Sequence, residues 1–124
     1  MLTAGVDVGA ATAKTAIVKD GEMIACKVMP TGSKVQESAL KVTEDALAMA
    51  GLTMSDLDAI MSTGYARHVV NFSNRGISEI ICHAKGVHHL IPDARTIIDI
   101  GGQDSKVIGP REDGTVADFV MNDK

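Results

Sequence analysis

The sequence has few aromatic residues and few cysteines. It contains two Phe, one Tyr and no Trp in 124 residues, and small and aliphatic residues dominate, as is typical of α/β layers. Cys26 and Cys82 form no C-x-x-C pair, so we interpret them as reduced core thiols and not as a disulfide or a complete metal site. The apolar content of 45% is sufficient for one domain with a true core.

Several classes of protein are disfavoured by what is missing. No run of Lys and Arg occurs and the net charge is −4, which argues against a nucleic-acid partner. No apolar stretch approaches about 18 residues and no signal-peptide pattern is present. The sequence therefore predicts a soluble, cytoplasmic protein with no membrane partner.

One pattern occurs twice. Residues 5–14 read GVDVGAATAK and residues 96–106 read TIIDIGGQDSK. In each copy an apolar strand ends with Asp, a Gly-containing turn follows, and Lys stands seven positions after the Asp. The copies, represented by Asp7 and Asp99, lie 92 positions apart, and both are followed by a further Asp-Gly turn. This repeat predicts one β-hairpin unit used twice.

The chemistry of such a hairpin follows from its parts. A Gly-rich turn exposes consecutive backbone N–H groups, which form a nest for phosphate. An Asp beside the turn can hold Mg²⁺ directly or through water. Two such turns would grip the phosphates and metal of a nucleotide from both sides, and phosphoryl transfer needs little beyond positioning and charge neutralisation.

The periodicity predicts a βββαβα order followed by βββ, which is typical of a mixed α/β sheet covered by helices. A capping box Ser33-x-x-Gln36 predicts the start of the first helix, and Gly51 predicts its end. We predict domains at residues 1–92 and 93–124. The remaining elements are strands at 2–8, 12–19, 23–30, 57–61 and 116–121 and a helix at 78–90.

Five segments resemble one family in order: 5–9 (GVDVG), 62–67 (STGYAR), 77–86 (ISEIICHAKG), 99–106 (DIGGQDSK) and 119–124 (FVMNDK). This family contains the ATPase activators of 2-hydroxyacyl-CoA dehydratases and the ATPase subunits of benzoyl-CoA reductase. The resemblance implies an actin-like (ribonuclease H-like) ATPase lobe, followed by the opening β-meander of a second lobe. It covers essentially the whole chain.

The resemblance also implies site residues. Asp7, Asp99 and Gln103 would be catalytic, and Asp7 and Asp99 would hold the metal. The nucleotide would be bound by Gly9, Ala10, Ala11, Thr12, Lys14, Gly101, Gly102, Gln103, Asp104 and Ser105. The family usually has hydroxyl residues where this chain has Ala10 and Ala11, but the backbone nest and the hydroxyl of Thr12 remain.

The implied cofactors are ATP and Mg²⁺, and in the family a [4Fe-4S] cluster shared by two subunits. The implied partners are an acyl-CoA dehydratase or reductase component, an electron donor such as ferredoxin or flavodoxin, and a second copy of the chain. The family continues beyond its Asn-Asp-Lys segment to the cysteines that bind the cluster. We therefore expect a truncated chain, ending at Lys124, that binds no cluster.

Two alternatives stay open. The paired hairpins are also compatible with an actin-like small-molecule kinase, or with a non-catalytic fragment that dimerises through its uncovered meander. Several single residues also allow more than one interpretation. Lys14 and Lys106 are either phosphate ligands or solvated strand lysines, Glu79 is either a helix-dipole partner or a residue of the cleft, and Arg67 is a candidate for a partner contact.

Overall fold

A computed structural model of the chain describes residues 1–101 and 104–122. It divides into two compact units, Met1–Ile77 and Ser78–Lys124. The first unit contains β1 Leu2–Val8, β2 Thr12–Lys19, β3 Glu22–Pro30, α1 Val35–Met49, β4 Ala59–Thr63 and β5 Arg75–Gly76, with short 3-10 turns at Met54–Asp56 and Arg67–Val69. The second contains α2 Glu79–Leu90, β6 Ile97–Ile100, β7 Ser105–Pro110 and β8 Val116–Asn122.

The first unit is a five-stranded sheet in the order β3-β2-β1-β4-β5. Strands β1, β2 and β3 pair antiparallel, whereas β4 runs parallel to β1 and β5 runs parallel to β4. This confirms the predicted mixed sheet. Alternate residues of β1 are buried, because one face of the sheet is covered by α1. The buried apolar residues of this unit are Ala4, Val6, Val8, Ala13, Ile17, Ala25, Ala39, Val42, Ala46, Leu47 and Val70.

The predicted capping box at Ser33 is wrong. Helix α1 begins at Val35 after Lys34, and no side chain caps its first turn. Gln36, the expected reciprocal partner, instead bonds to the side chain and backbone of Asn71. A tertiary contact has therefore replaced the local one.

The end of α1 at Gly51 is confirmed. Gly51 has φ +71 and donates its N–H to Ala48 O at 3.0 Å, while Leu52 donates to Leu47 O at 2.9 Å. These two bonds form a Schellman motif, which requires the left-handed backbone that glycine adopts without strain.

The prediction that both cysteines are core thiols is wrong for Cys26. Both thiols are free, but Cys26 is exposed and Cys82 is half-buried. Cys26 lies on the edge strand β3, where its neighbour Ala25 is the buried residue. The alternation of the strand places Cys26 on the opposite face.

In the second unit, α2 packs on an antiparallel sheet in the order β6-β7-β8. Ser78 caps the helix by accepting the N–H of Ile80 at 3.3 Å. The core of the unit is formed by Ile80, Ala84, Ile97 and Ile108. The predicted domain division at 92 and 93 stays a prediction. Within the described residues, no helix is both long and apolar enough to cross a membrane.

Candidate functional site

The first hairpin, residues 7–14, joins β1 to β2 through a two-residue turn. Asp7 pairs with Lys14 across the strands, and Gly9 donates its N–H to Thr12 O at 2.9 Å. Thr31, directly after β3, holds the turn in place, because its Oγ1 donates to Gly9 O at 2.9 Å and its N–H to Ala11 O at 3.0 Å. The turn residues Ala10 and Ala11 are exposed.

Lys14 is only lightly engaged. Its Nζ lies 3.4 Å from Asp7 Oδ2 and donates to Thr12 Oγ1 at 2.9 Å, while 43% of the side chain stays exposed. A half-exposed pair of this kind contributes little to stability. The ammonium is therefore available to an anionic ligand.

Gly64, in the loop after β4, lies directly against the first hairpin. It has φ +93, and a Cβ at this position would lie 2.5 Å from Asp7 Oδ1 and 2.6 Å from Val8 O. The residues after Gly64 also contact the end of β1, because Ala66 donates its N–H to Val8 O at 3.0 Å. Only glycine allows the loop to come this close to the carboxylate of Asp7.

The second hairpin, residues 99–106, repeats this frame. Asp99 pairs with Lys106 across β6 and β7, and Gly101 donates its N–H to Asp104 O at 2.8 Å. The predicted site residues Gly102 and Gln103 lie outside the described residues. Ser105 is exposed at the start of β7.

Lys106 is the centre of a buried charge cluster. Its side chain is 3% exposed, and its Nζ lies 2.5 Å from Asp104 Oδ1 and 3.4 Å from both Asp99 Oδ2 and Glu79 Oε1. Burial lowers the pKa of this ammonium, but the hydrogen bond to Asp104 and the charges of Glu79 and Asp104 outweigh burial and leave the pKa raised. Lys106 is therefore not a solvated strand lysine.

His83 on α2 reaches the same carboxylate. Its Nδ1 lies 3.2 Å from Asp99 Oδ2, within ion-pair distance. The contact is poorly aligned for a hydrogen bond, and among the described residues the buried Nδ1 has no other hydrogen-bond partner.

The residues present fit Mg²⁺ with nucleotide phosphates. Magnesium is usually held by one or two carboxylates together with phosphate oxygens and water, not by a cage of protein ligands. Each hairpin supplies one aspartate beside a turn, and the described residues contain no group of three or more His, Cys, Asp or Glu placed to hold a metal ion. The glycine-sized space at Gly64 keeps a side chain away from Asp7 Oδ1.

Sequence reasoning missed the neighbours of the two aspartates. Each hairpin brings its own described site residues together, but Gly64 and His83 entered the prediction only as parts of segments that resemble the family, and Glu79 only as a residue with two possible roles. Those segments, 62–67 and 77–86, were the available signal. Their contacts with Asp7, Asp99 and Lys106 join residues that are distant in sequence.

The order β1-β2-β3-α1-β4-β5-α2, the mixed sheet and the repeated hairpin define an actin-like ATPase fold. Comparison with solved structures agrees: component A of (R)-2-hydroxyglutaryl-CoA dehydratase from Acidaminococcus fermentans is 36% identical with a TM-score of 0.94, covering 100% of this chain and 48% of that one. The activator of 2-hydroxyisocaproyl-CoA dehydratase from Clostridium difficile, with bound ADPNP, is 38% identical with a TM-score of 0.91, covering 100% and 46%.

The sequence model of the BadF/BadG/BcrA/BcrD ATPase family matches residues 4–124, and the chain belongs to this family. The activator of lactoyl-CoA dehydratase from Anaerotignum propionicum is 45% identical to it over 127 residues, covering 100% of this chain and 48% of the activator. The chain thus spans about half the length of the curated relatives it matches.

Proposed function

We propose that the chain binds Mg-ATP through the two hairpins. The observation that carries this proposal is the identical frame at both places: an Asp paired with a Lys across the strands, and a Gly N–H bonded to the oxygen three residues later. Membership of an ATPase family supports it, as does the similar activator that holds ADPNP.

The residues take distinct roles in this proposal. The turn at 9–12 and the turn after Asp99 bind phosphate in this proposal, and the exposed Lys14 adds a positive charge. Asp7 and Asp99 hold the cation, and bound Mg²⁺ neutralises phosphate charge. Gln103, which lies outside the described residues, stays a predicted catalytic residue. Lys106 is committed to three carboxylates, so we assign it to positioning the second hairpin and not to phosphate.

The wider function rests on the relatives. Activators of lactoyl-CoA and 2-hydroxyisocaproyl-CoA dehydratases and a benzoyl-CoA reductase subunit are among the proteins similar to this chain. We propose that ATP hydrolysis here drives low-potential electron transfer to an acyl-CoA dehydratase or reductase. In the assembled activator this requires a second copy, a [4Fe-4S] cluster and a ferredoxin or flavodoxin donor. The domains 1–92 and 93–124 are then the first lobe and the opening of the second.

Calorimetric titration of Mg-ATP tests the binding proposal. Asp7→Ala and Asp99→Ala should each weaken binding at least about tenfold, because each removes a charged ligand worth about 1.5–3 kcal/mol. Asp93→Ala is the matched control, since Asp93 is an exposed carboxylate just before β6 and has no place in the proposed site. Equal binding by all three variants would contradict the proposal.

The activator role is tested separately in an anaerobic assay with an acyl-CoA dehydratase component and reduced ferredoxin. ATP-dependent dehydration by the chain in its native assembly is the expected result, with loss of dehydration in the Asp99→Ala variant. Phosphoryl transfer from ATP to a panel of sugars, without dehydration, would instead favour the kinase alternative.

A further inference from the structure

The two oxygens of Asp99 have different surroundings. Oδ2 lies 3.4 Å from Lys106 Nζ and 3.2 Å from His83 Nδ1. No hydrogen bond or ion pair of Oδ1 occurs among residues 1–101 and 104–122. Within the part of the chain that the structure describes, the carboxylate is thus held through Oδ2 alone.

His83 is placed to contribute to this asymmetry. Its Nδ1 is a buried polar atom with no well-aligned hydrogen bond, and Asp99 Oδ2 is the acceptor that the structure places within reach. Buried polar atoms rarely stay unpaired, so a small rotation of the imidazole that aligns Nδ1–H with Oδ2 is favourable. In a neutral imidazole, the hydrogen bond that is made decides which nitrogen keeps the proton.

We propose that His83 is a positioning residue for Asp99. Its Nδ1–H donates to Oδ2, and Lys106 holds the same oxygen from β7, so that Oδ1 is the oxygen presented to the metal–nucleotide complex. The proposal rests on the proposed function, since Asp99 must face a ligand for its orientation to matter. Groups that orient a metal-binding carboxylate in this way typically contribute 10–100-fold to metal affinity, as a rough guide.

The position of His83 on α2 explains why a helix residue can do this. Glu79 lies one turn earlier on the same helix and contacts Lys106 at 3.4 Å, so α2 contributes two side chains to the cluster around β6 and β7. Ile80 and Ala84 of α2 are buried in the core with Ile97 and Ile108, which fixes the helix against the strands that carry Asp99 and Lys106. His83 therefore acts from a rigid element.

The first experiment reads the contact without any nucleotide. Long-range ¹H–¹⁵N NMR at about pH 8.5, well above the ordinary histidine pKa of about 6.5, shows which ring nitrogen carries the proton. We expect His83 to be protonated at Nδ1 in the wild-type chain and at Nε2 in Asp99→Ala. An Nε2–H imidazole in the wild type would overturn the proposal.

The second experiment measures binding of Mg-ADPNP by calorimetry. His83→Ala should weaken binding about tenfold, whereas His83→Asn should stay within about threefold of wild type, because its side-chain amide N–H replaces the Nδ1–H donor. His89→Ala is the matched control, since His89 is an exposed histidine of the same helix. All variants should keep the wild-type unfolding temperature within a few degrees.

The outcomes separate the two proposals. Wild-type chain that binds no Mg-ADPNP would contradict the proposed function, and the positioning role with it. Wild-type chain that binds, together with His83→Ala and His89→Ala variants of equal affinity, would overturn the role of His83 alone. Failure of His83→Asn to rescue binding would likewise count against the donor.

Discussion

The two hairpins share one backbone frame but differ in what surrounds the aspartate and the lysine. In the first, Lys14 is 43% exposed and meets one carboxylate, and backbone at Gly64 lies against Asp7. In the second, Lys106 is 3% exposed and meets three carboxylates, and the side chains of α2 reach Asp99 and Lys106. The two copies of the motif thus have different electrostatic environments.

The difference comes from a few positions. Thr12 in the first turn corresponds to Asp104 in the second, so a hydroxyl partner of the lysine is replaced by a charged one. The second lysine also gains Glu79 from α2. The comparison indicates that the charge around the lysine differs between two copies of one hairpin frame, and that Lys14, unlike Lys106, is not enclosed by several carboxylates.

The largest expected effect on the free energy of unfolding comes from replacing the buried lysine, which tests the contrast between Lys106 and Lys14. Lys106→Met leaves three carboxylates around a site that has lost its cation, and should lower the free energy of unfolding by about 3 kcal/mol. Lys14→Met is the matched control and should cost less than about 1 kcal/mol, because its ion pair is half-exposed. Urea unfolding, followed by the NMR signals of Ile108 and Ile17, measures each unit separately. Equal losses in the two variants would show that the two environments are energetically alike.

A second variant tests the backbone that lies against Asp7. Gly64→Ala forces a left-handed residue and brings a Cβ against Asp7 Oδ1 and Val8 O, so we expect a loss of about 2–3 kcal/mol. Gly9→Ala, where the Cβ would lie at an ordinary 3.5 Å from Thr12 O, should change the free energy of unfolding by less than about 1 kcal/mol. Unfolding of Gly64→Ala at the wild-type midpoint would mean that the loop simply moves away.

The smallest expected effect is a change in the pH dependence of stability, which depends on the buried Lys106. The pKa of Lys106 is raised in the folded chain, so its contribution to stability is complete below the ordinary lysine pKa of about 10.4. That contribution is lost as pH rises through the raised folded-state pKa. We expect the wild type to lose more unfolding free energy than Lys106→Met between about pH 10 and pH 12, as urea titrations at each pH measure. Parallel pH curves for the two proteins would contradict the shift.

Local sequence patterns predicted the frame of this fold well. Strands β1 and β2 have the bounds that alternation and the Asp-Gly turn predicted, and Gly51 ends α1 as expected because a left-handed cap is a local requirement. Predictions that depended on distant residues did worse. Gln36 bonds Asn71 and not the Ser33 cap, the fourth strand lies at Ala59–Thr63 and not at 57–61, and the two-residue β5 was not predicted.

The candidate site shows the same limit. Asp7, Lys14, Asp99 and Lys106 were found from spacing alone, because a hairpin places residues seven apart opposite one another. The contacts of Gly64 and His83 join elements far apart in the chain, and no periodicity encodes them. The roles of the nucleotide-binding and metal-binding residues stay predictions, which the binding experiments test.

Because Lys106 is buried, its chemical labelling can show whether the second unit is folded. Acylating reagents attack exposed, uncharged amines, whereas this amine is enclosed and its raised pKa keeps it charged. Lys14 should therefore be acylated readily in the native chain, and Lys106 only when the second unit opens. The ratio of the two labels, read by mass spectrometry, would report the opening of that unit in a cell extract without purification.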